Sequence, residues 1–290
     1  MTPALASGDV IPSGLAGAWQ AAPAVVAAAA LALALFAQAF LHLRRRGRTD
    51  HAPAWRAAVF LAGLAALTLP LLSPLDATGE EYLLSAHMLQ HVLIADVAPA
   101  LLLLAVSGPL LFFVLPAPAL LSLAGSRPLQ ALLRALVRPR VALGVWLAAV
   151  AVWHVPALYD YAGTHQTVHD LEHASFVVAG LLVWYQLLDP ARQRRLSRGR
   201  RIGLAVLLFA AGQILTTVLV FSFRPLYPAY AGQDERLFGL SALTDQRLAG
   251  AVMMADQAIM LGTFVAFTLL AADHEQRAAA GSALVPGPRP

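Results

Sequence analysis

The chain has 290 residues, of which 59% are hydrophobic and only 12% are charged, with a mean hydropathy of +0.68. A soluble domain of this length needs far more polar surface, so the composition indicates a polytopic membrane protein. Cysteine is absent, which excludes disulfides, iron–sulfur clusters and thiolate metal sites. Lysine is absent as well, because all 20 basic residues are arginine, and this excludes Schiff-base chemistry.

Seven apolar segments are long enough for transmembrane helices, which need about 20 residues each. In chain order they lie near residues 20–43, 55–73, 82–105, 141–157, 165–188, 202–222 and 247–271. A further stretch, Pro109 to Leu123, is interrupted by Pro116 and Pro118, so we predict an interfacial or re-entrant segment there. The predicted fold is all-α, a polytopic membrane protein with seven spans. We expect a single transmembrane domain over residues 1–290, with flexible tails at 1–18 and 275–290.

Arginine is distributed unevenly among the predicted loops. The positive-inside rule places arginine-rich loops in the cytoplasm, which puts the amino terminus outside. Only Arg224, Arg236 and Arg247 then fall on the outer side. The densest run, residues 192–201, is predicted to determine topology, with contact to anionic lipid as its additional role. The net charge of +4 therefore reflects topology, and we predict no nucleic-acid partner.

Most of the nine histidines fall at one depth near the predicted outer face. Their positions are His87, His91, His154, His165, His169 and His173. At a rise of about 1.5 Å per residue, each lies within roughly 13 Å of the outer boundary of its span. Polar groups in hydrocarbon cost free energy unless they have partners. The concentration of imidazoles at one depth therefore indicates a functional site.

Two histidine pairs have the i, i+4 spacing that puts both side chains on one helix face, with Cβ atoms about 6 Å apart. They are His87 with His91, and His169 with His173. Met253 of the last span lies at a similar depth, and imidazole with thioether is a ligand set that copper prefers. We predict the four paired histidines as copper ligands, with His154 and Met253 as auxiliary ligands. The alternatives are an interfacial role for His154 and simple packing for Met253.

Three acidic residues are predicted to support this site. Glu172 is adjacent to His173 and can orient an imidazole N–H, and Asp245 and Asp256 can hold ligands or accept protons. Asp96 and Asp256 lie inside predicted spans, where a carboxylate costs about 2.5–3.5 kcal/mol on insertion scales. A pairing or functional role is therefore expected for both.

The same motifs resemble a known family. The motif His87-Met-Leu-Gln-His91, the block His169-Asp-Leu-Glu-His173 and the block Asp245-Gln-Arg-Leu-Ala-Gly250 with Met253 are similar to signatures of the seven-span CtaG family of cytochrome c oxidase assembly proteins. The resemblance implies a non-enzymatic factor of the bacterial plasma membrane that helps to mature a haem–copper oxidase. Its implied partners are oxidase subunits and membrane lipid.

The combined prediction is a cytochrome c oxidase assembly factor that binds copper at the outer membrane face and assists its insertion. The main alternative is a haem-b electron carrier or oxidoreductase, in which His91 and His173 ligate one iron. A proton-coupled transporter using Asp96 and Asp256 is less favoured. The third predicted span continues below Asp96 as Val-Ala-Pro-Ala-Leu-Leu-Leu-Leu, without a polar side chain.

Overall fold

The structure is a computed structural model that describes residues 14–233 and 237–283, without the side chains of residues 274 and 278–283. These residues form helices and no strands. The helices are α1 (Pro23–Arg45), α2 (Ala54–Leu72), α3 (Pro74–Glu81), α4 (Leu84–Ala105), α5 (Gly108–Val114), α6 (Ala117–Gly125), α7 (Arg127–Leu136), α8 (Pro139–Trp153), α9 (Pro156–Thr164), α10 (Gln166–Leu188), α11 (Arg198–Phe221), α12 (Pro228–Ala231) and α13 (Ala242–Ala283). The all-α class is confirmed. The tails expected at 1–18 and 275–290 lie partly outside the described residues and stay a prediction.

Six helices of the described ranges are long and apolar enough to cross a membrane. They are α1, α2, α4, α10, α11 and α13. Two further pairs pass the same test together but are sharply bent, α5 with α6 by 83° and α7 with α8 by 72°. The described residues therefore contain six candidate membrane spans, or up to eight, as a multi-pass helical membrane protein does. The predicted count of seven stays a prediction, because it depends on how α8 is placed.

The predicted fourth span, at residues 141–157, is shorter in the structure. Helix α8 ends at Trp153, and Pro156 opens the next short helix, because a proline has no N–H to continue the preceding one. With 15 residues, α8 is about 22 Å long, which is less than the hydrocarbon thickness of about 30 Å. The predicted interfacial stretch at 109–123 is a broken helix that bends where Leu115 is extended before Pro116.

The spans have two distinct ends. At one end α4, α10 and α13 begin and α2 and α11 end, and we call it the histidine end. Gln90 of α4 joins α2 there, donating to the Pro70 carbonyl at 3.1 Å. At the opposite end, which we call the arginine end, Arg56 of α2 donates to the Ala105 carbonyl of α4 at 3.0 Å. Helices α2 and α4 are therefore antiparallel.

Helix α4 contains a π-helical turn at Leu93–Val97. Pro99 lacks the N–H that would donate to the Ala95 carbonyl, which favours a wider turn at this point. That carbonyl faces Gly180 of α10, where any Cβ atom would collide with it. The turn brings Asp96 to the indole N–H of Trp184 in α10, which donates to the Asp96 carboxyl group.

Candidate metal centre

The four histidines predicted as ligands meet between α4 and α10 at the histidine end. The ring centroids of His87 and His91 are 4.2 Å apart, and those of His169 and His173 are 4.1 Å apart. Across the two helices, His87 lies 5.5 Å from His169 and His91 lies 5.2 Å from His173. All four side chains are buried. Each i, i+4 pair thus faces the other, and the two pairs form one cluster.

Helix α3 packs directly on this cluster because it presents a glycine. A Cβ atom on Gly79 would lie 2.9 Å from the Cα and N atoms of His87. The Gly79 carbonyl accepts a hydrogen bond from the Tyr230 hydroxyl at 2.6 Å, which fixes α3 from the other side. The close approach brings the next residue, Glu80, to the histidines.

The ring nitrogens of the cluster are unusually free of partners. Both nitrogens of His87 and of His91, and Nε2 of His169 and of His173, are buried and have no hydrogen-bond partner within residues 14–233 and 237–283. An unsatisfied buried polar group costs about 1–3 kcal/mol, so native structures rarely retain one without a reason. These nitrogens are available as metal-ligand atoms.

Two overlapping groups have geometry that suits a metal ion. Ligand atoms of His87, His169 and His173 lie within 4.8 Å of one another, and so do those of His87, His91 and Glu172. Glu172 was predicted to orient an imidazole from behind. Its Oε1 atom instead lies 3.7 Å from Nε2 of His91, inside the cluster, where it can itself be a ligand.

Glu80 supports a histidine of the cluster from behind, the role that the sequence predicts for Glu172, Asp245 and Asp256. Its Oε1 atom lies 2.9 Å from Nδ1 of His169. A carboxylate acceptor holds the imidazole proton on Nδ1 and leaves a lone pair on Nε2, which is the usual arrangement behind a metal-ligating histidine. Sequence reasoning missed Glu80, because no spacing rule connects it with a histidine on a different helix.

A cavity of about 80 Å³ reaches the cluster from the histidine end. His87, His169, Glu80 and Tyr159 are among its lining residues. The Tyr159 and Tyr230 hydroxyls are hydrogen-bonded at 2.9 Å, and burial, followed by the nearness of Tyr230, raises the pKa of Tyr159, so this tyrosine stays neutral. The volume fits an ion with a few waters of about 30 Å³ each. It is well below the roughly 300–1,000 Å³ of small-molecule sites.

Neither predicted auxiliary ligand belongs to the two groups. Nδ1 of His154 lies 2.8 Å from the Val150 carbonyl, and its ring contacts Phe176, which also contacts His91. Met253 is buried in an apolar cluster with Met88 and neighbouring side chains. Their roles as auxiliary ligands stay predictions. His165, which was not predicted to be a ligand, is exposed at the start of α10.

Asp245 bonds to a helix end and not to an imidazole. Its carboxylate accepts from the backbone N–H groups of Leu84 at 2.7 Å and Ser85 at 3.1 Å, and from the Ser85 hydroxyl at 2.5 Å. Amides in the first turn of a helix have no partner within that helix. Asp245 therefore caps α4 from α13 and so fixes the helix that carries His87 and His91. Its predicted role in holding a ligand or accepting a proton stays a prediction.

Asp256 lies deeper in α13 and pairs with another acid. The carboxyl groups of Asp256 and Asp96 are hydrogen-bonded to each other, and Trp184 also donates to Asp96. A hydrogen bond between two carboxyl groups requires a proton on one of them, so the pair holds a shared proton. Asp256 therefore has Asp96 as its partner, and its predicted role beside the ligands stays a prediction. We call Asp96 and Asp256 the acid pair.

Comparison with known proteins adds one finding. The family model Caa3_CtaG, described as cytochrome c oxidase caa3 assembly factor, matches residues 15–272. No curated protein and no solved structure matches the chain. The matched range includes all four clustered histidines as well as Glu80 and Glu172, and the family resemblance of the motifs is confirmed.

Proposed function

This chain belongs to the cytochrome c oxidase caa3 assembly factor family, and on that premise we propose that it binds copper and assists its insertion into a haem–copper oxidase. The observation that carries the proposal is the set of unpartnered ring nitrogens on four buried histidines. Such a cluster costs free energy in the absence of a ligand, and a metal ion is the ligand that several converging imidazoles accept together.

The donor set favours copper among the available ions. Imidazole suits zinc and copper, and at a given nitrogen and oxygen site the affinity of divalent metals is greatest for copper. Magnesium and calcium prefer oxygen ligands, which only Glu172 supplies inside the cluster. The absence of cysteine means that copper transfer here would use nitrogen ligands and not thiolates. A caa3-type client that contains copper supplies the reason to handle this metal.

We place the histidine end on the outer side of the bacterial plasma membrane. The support is the location of the arginine-rich segments that precede α8 and α11, because cytoplasmic loops carry the excess of basic residues. This places the amino terminus outside as well. The cavity beside Glu80 opens toward the same side, so copper would arrive from outside and leave toward an oxidase subunit in the same membrane.

In this proposal the protein's own groups bind and orient without covalent chemistry, so the role is not enzymatic. Glu80 keeps the proton of His169 on Nδ1, which directs the Nε2 lone pair to the metal. Glu172 adds one negative charge that offsets the charge of the cation. Neutral Tyr159 closes the outer side without competing as an anionic ligand.

A deletion strain tests the proposal. We expect oxidase subunits to be made and haem to be inserted, with copper missing from the mature complex and partly restored by excess copper in the medium through mass action. The measurements are oxidase activity, subunit abundance and copper content across a copper titration. Complementation with wild type restores copper, whereas His87→Ala/His91→Ala does not. Normal oxidase copper in the deletion strain would contradict the proposal, and lost subunit association without rescue would indicate a scaffold.

The haem alternative has no supporting observation among the described residues. A porphyrin needs a site of small-molecule size between two histidines on facing helices. The cavity beside the cluster is about 80 Å³. An absorption spectrum of the purified protein checks this point, since haem gives an intense Soret band and a histidine-bound copper ion does not.

A further inference from the structure

A second cavity lies at the arginine end, far from the histidines. Its volume is about 570 Å³. Four arginines line it, together with three apolar side chains and no acidic residue, and they are Arg138, Arg140, Arg195 and Arg200. We call this the arginine pocket. It is large enough for a small-molecule headgroup.

The charges in this pocket have no acidic partner among residues 14–233 and 237–283. The neighbouring Arg198 forms an ion pair with Glu275 at 2.7 Å. Within the part of the chain that the structure describes, the four pocket arginines form no ion pair with a carboxylate. Arg195 donates to two neutral groups, the Gln193 side chain at 2.5 Å and the Val137 carbonyl at 3.2 Å. Four like charges around one cavity repel each other, and a bound anion offsets that repulsion.

Hydrogen bonds between segments that are distant in the sequence build the pocket. The Val137 carbonyl, just before α8, accepts from Gln186 of α10 at 3.1 Å and from Arg195 of the following loop. The Asp189 carboxylate accepts from the backbone N–H groups of Gln193 and Arg194, which folds that loop back on itself. The loop that carries Arg195 is thereby held against the start of α8.

Helix α7, which neighbours the pocket, has the residue pattern of a helix that lies at a membrane interface. On one face of α7 lie Leu129, Leu132 and Leu133, exposed by 42%, 55% and 40%. Arg127 and Arg134 lie on the opposite face. A helix with exposed leucines on one side and arginines on the other lies in the plane of the headgroups. The 72° bend between α7 and α8 gives α7 that orientation if α8 enters the bilayer.

We propose that the arginine pocket binds the phosphate headgroup of an anionic phospholipid. Guanidinium groups bind phosphate oxygens through paired, charge-assisted hydrogen bonds. A basic pocket between membrane helices at the arginine-rich side is the kind of site that binds lipids with several phosphates. Four guanidinium groups match two phosphates, so a two-phosphate lipid binds more tightly than a one-phosphate lipid. This site is independent of copper.

The test uses the full-length protein reconstituted in nanodiscs or detergent. Native mass spectrometry counts lipid retained from added cardiolipin, phosphatidylglycerol or phosphatidylcholine, and inorganic phosphate serves as the soluble anion. We expect cardiolipin to be retained most and phosphatidylcholine not at all. Arg200→Gln should weaken retention about fivefold, since one arginine contributes about 1 kcal/mol. The matched control is Arg198→Gln, two residues away in the same helix and already paired with Glu275, which should change little.

A charge-preserving variant separates binding from membrane topology. Replacing all four pocket arginines with lysine keeps the positive-inside signal but removes the forked hydrogen bonds. We expect insertion to be unchanged and cardiolipin retention to fall severalfold. Wild-type retention in the lysine variant together with equal losses in Arg198→Gln and Arg200→Gln would overturn the site. Binding of inorganic phosphate as tight as that of cardiolipin would overturn the assignment to lipid.

Discussion

The histidine cluster and the acid pair are two buried polar groups within the same helices, and they differ in one respect. The four histidines leave most ring nitrogens without a partner, whereas Asp96 is hydrogen-bonded both to Asp256 and to Trp184. The two sets share α4, so membrane depth and burial alone do not explain the contrast. A polar group whose bonds are complete has a structural role, and one whose bonds are incomplete is prepared for a ligand.

The two sets also differ in where their hydrogen-bond partners come from. The acid pair obtains one partner from within the set, through the hydrogen bond between its two carboxyl groups, and a second from the indole N–H of Trp184. The histidines receive theirs from outside, through Glu80 behind His169 and Asp245 at the start of α4. Substitutions in the cluster should therefore change metal binding, and substitutions in the acid pair should change stability.

The largest expected effect is on copper content. Replacing His87 and His91 together with alanine should abolish stoichiometric copper binding, because both ligand groups contain His87. The His169→Ala/His173→Ala variant should lose most of it. Elemental analysis of detergent-purified protein provides the copper content per chain. The exposed His165 is the matched control, and His165→Ala should bind as wild type does. Full copper content in both double variants would mean that the cluster is structural.

The next effect concerns the carboxylate behind the cluster. Glu80→Gln should lower copper affinity about 10–100-fold, because loss of such a carboxylate leaves the tautomer and basicity of His169 unset. Competition with a chelator of known affinity measures the change. The adjacent exposed Glu81 provides the control, since Glu81→Gln alters the same local charge. Equal weakening by both variants would point to general attraction of the cation and not to the contact with His169.

Substitutions in the acid pair should lower stability and leave copper binding unchanged. Asp256→Ala should reduce the free energy of unfolding by about 1–2 kcal/mol, at the upper end of values for hydrogen bonds between membrane helices. Asp256→Asn should cost less, because an amide can donate to the Asp96 carboxylate. Unfolding in mixed detergent micelles measures both. Copper content per folded chain should stay at the wild-type level, and a loss of copper in folded Asp256→Asn would join the two regions into one site.

The smallest effect is a pH dependence at the edge of the cluster. Burial, and then repulsion from Glu80, raises the pKa of Asp76 to about 6 from an ordinary 3.8, and the hydrogen bond from Gln90 opposes the rise. The folded state therefore binds this proton more tightly than the unfolded state, so stability falls as the pH rises from about 4 through about 6. Asp76→Asn should flatten this decline in thermal unfolding between about pH 4.5 and about pH 7.5. A parallel offset at every pH would contradict it.

The elements that local pattern controls could be predicted from the sequence. Apolar length located the long spans, and the i, i+4 spacing placed each histidine pair on one helix face. The matched depth of the two pairs then predicted that they lie close together between α4 and α10. The prolines at 116 and 118 correctly indicated a break in the stretch after α4.

The contacts that depend on tertiary packing could not be predicted. Asp245 was placed near the ligands because of its depth, but its partners are the backbone amides of Leu84 and Ser85. Asp96 and Asp256 lie far apart in the sequence. Only the packing of α13 on the π-helical turn brings their carboxyl groups within hydrogen-bond distance. Glu80 needed the close approach at Gly79, for which a lone glycine in a short loop helix provides no visible signal.

The cap on α4 also sets an order of events during synthesis. Asp245 lies in the last membrane helix and its amide partners lie 161 and 160 residues earlier, at the start of the helix with His87 and His91. Membrane segments emerge from the ribosome in chain order, so α4 and α10 are both made before Asp245, the residue that caps α4. A nascent or truncated chain that ends before α13 has all four histidines but an unanchored α4. In the proposed function, the copper site therefore reaches its final geometry only once α13 is in place.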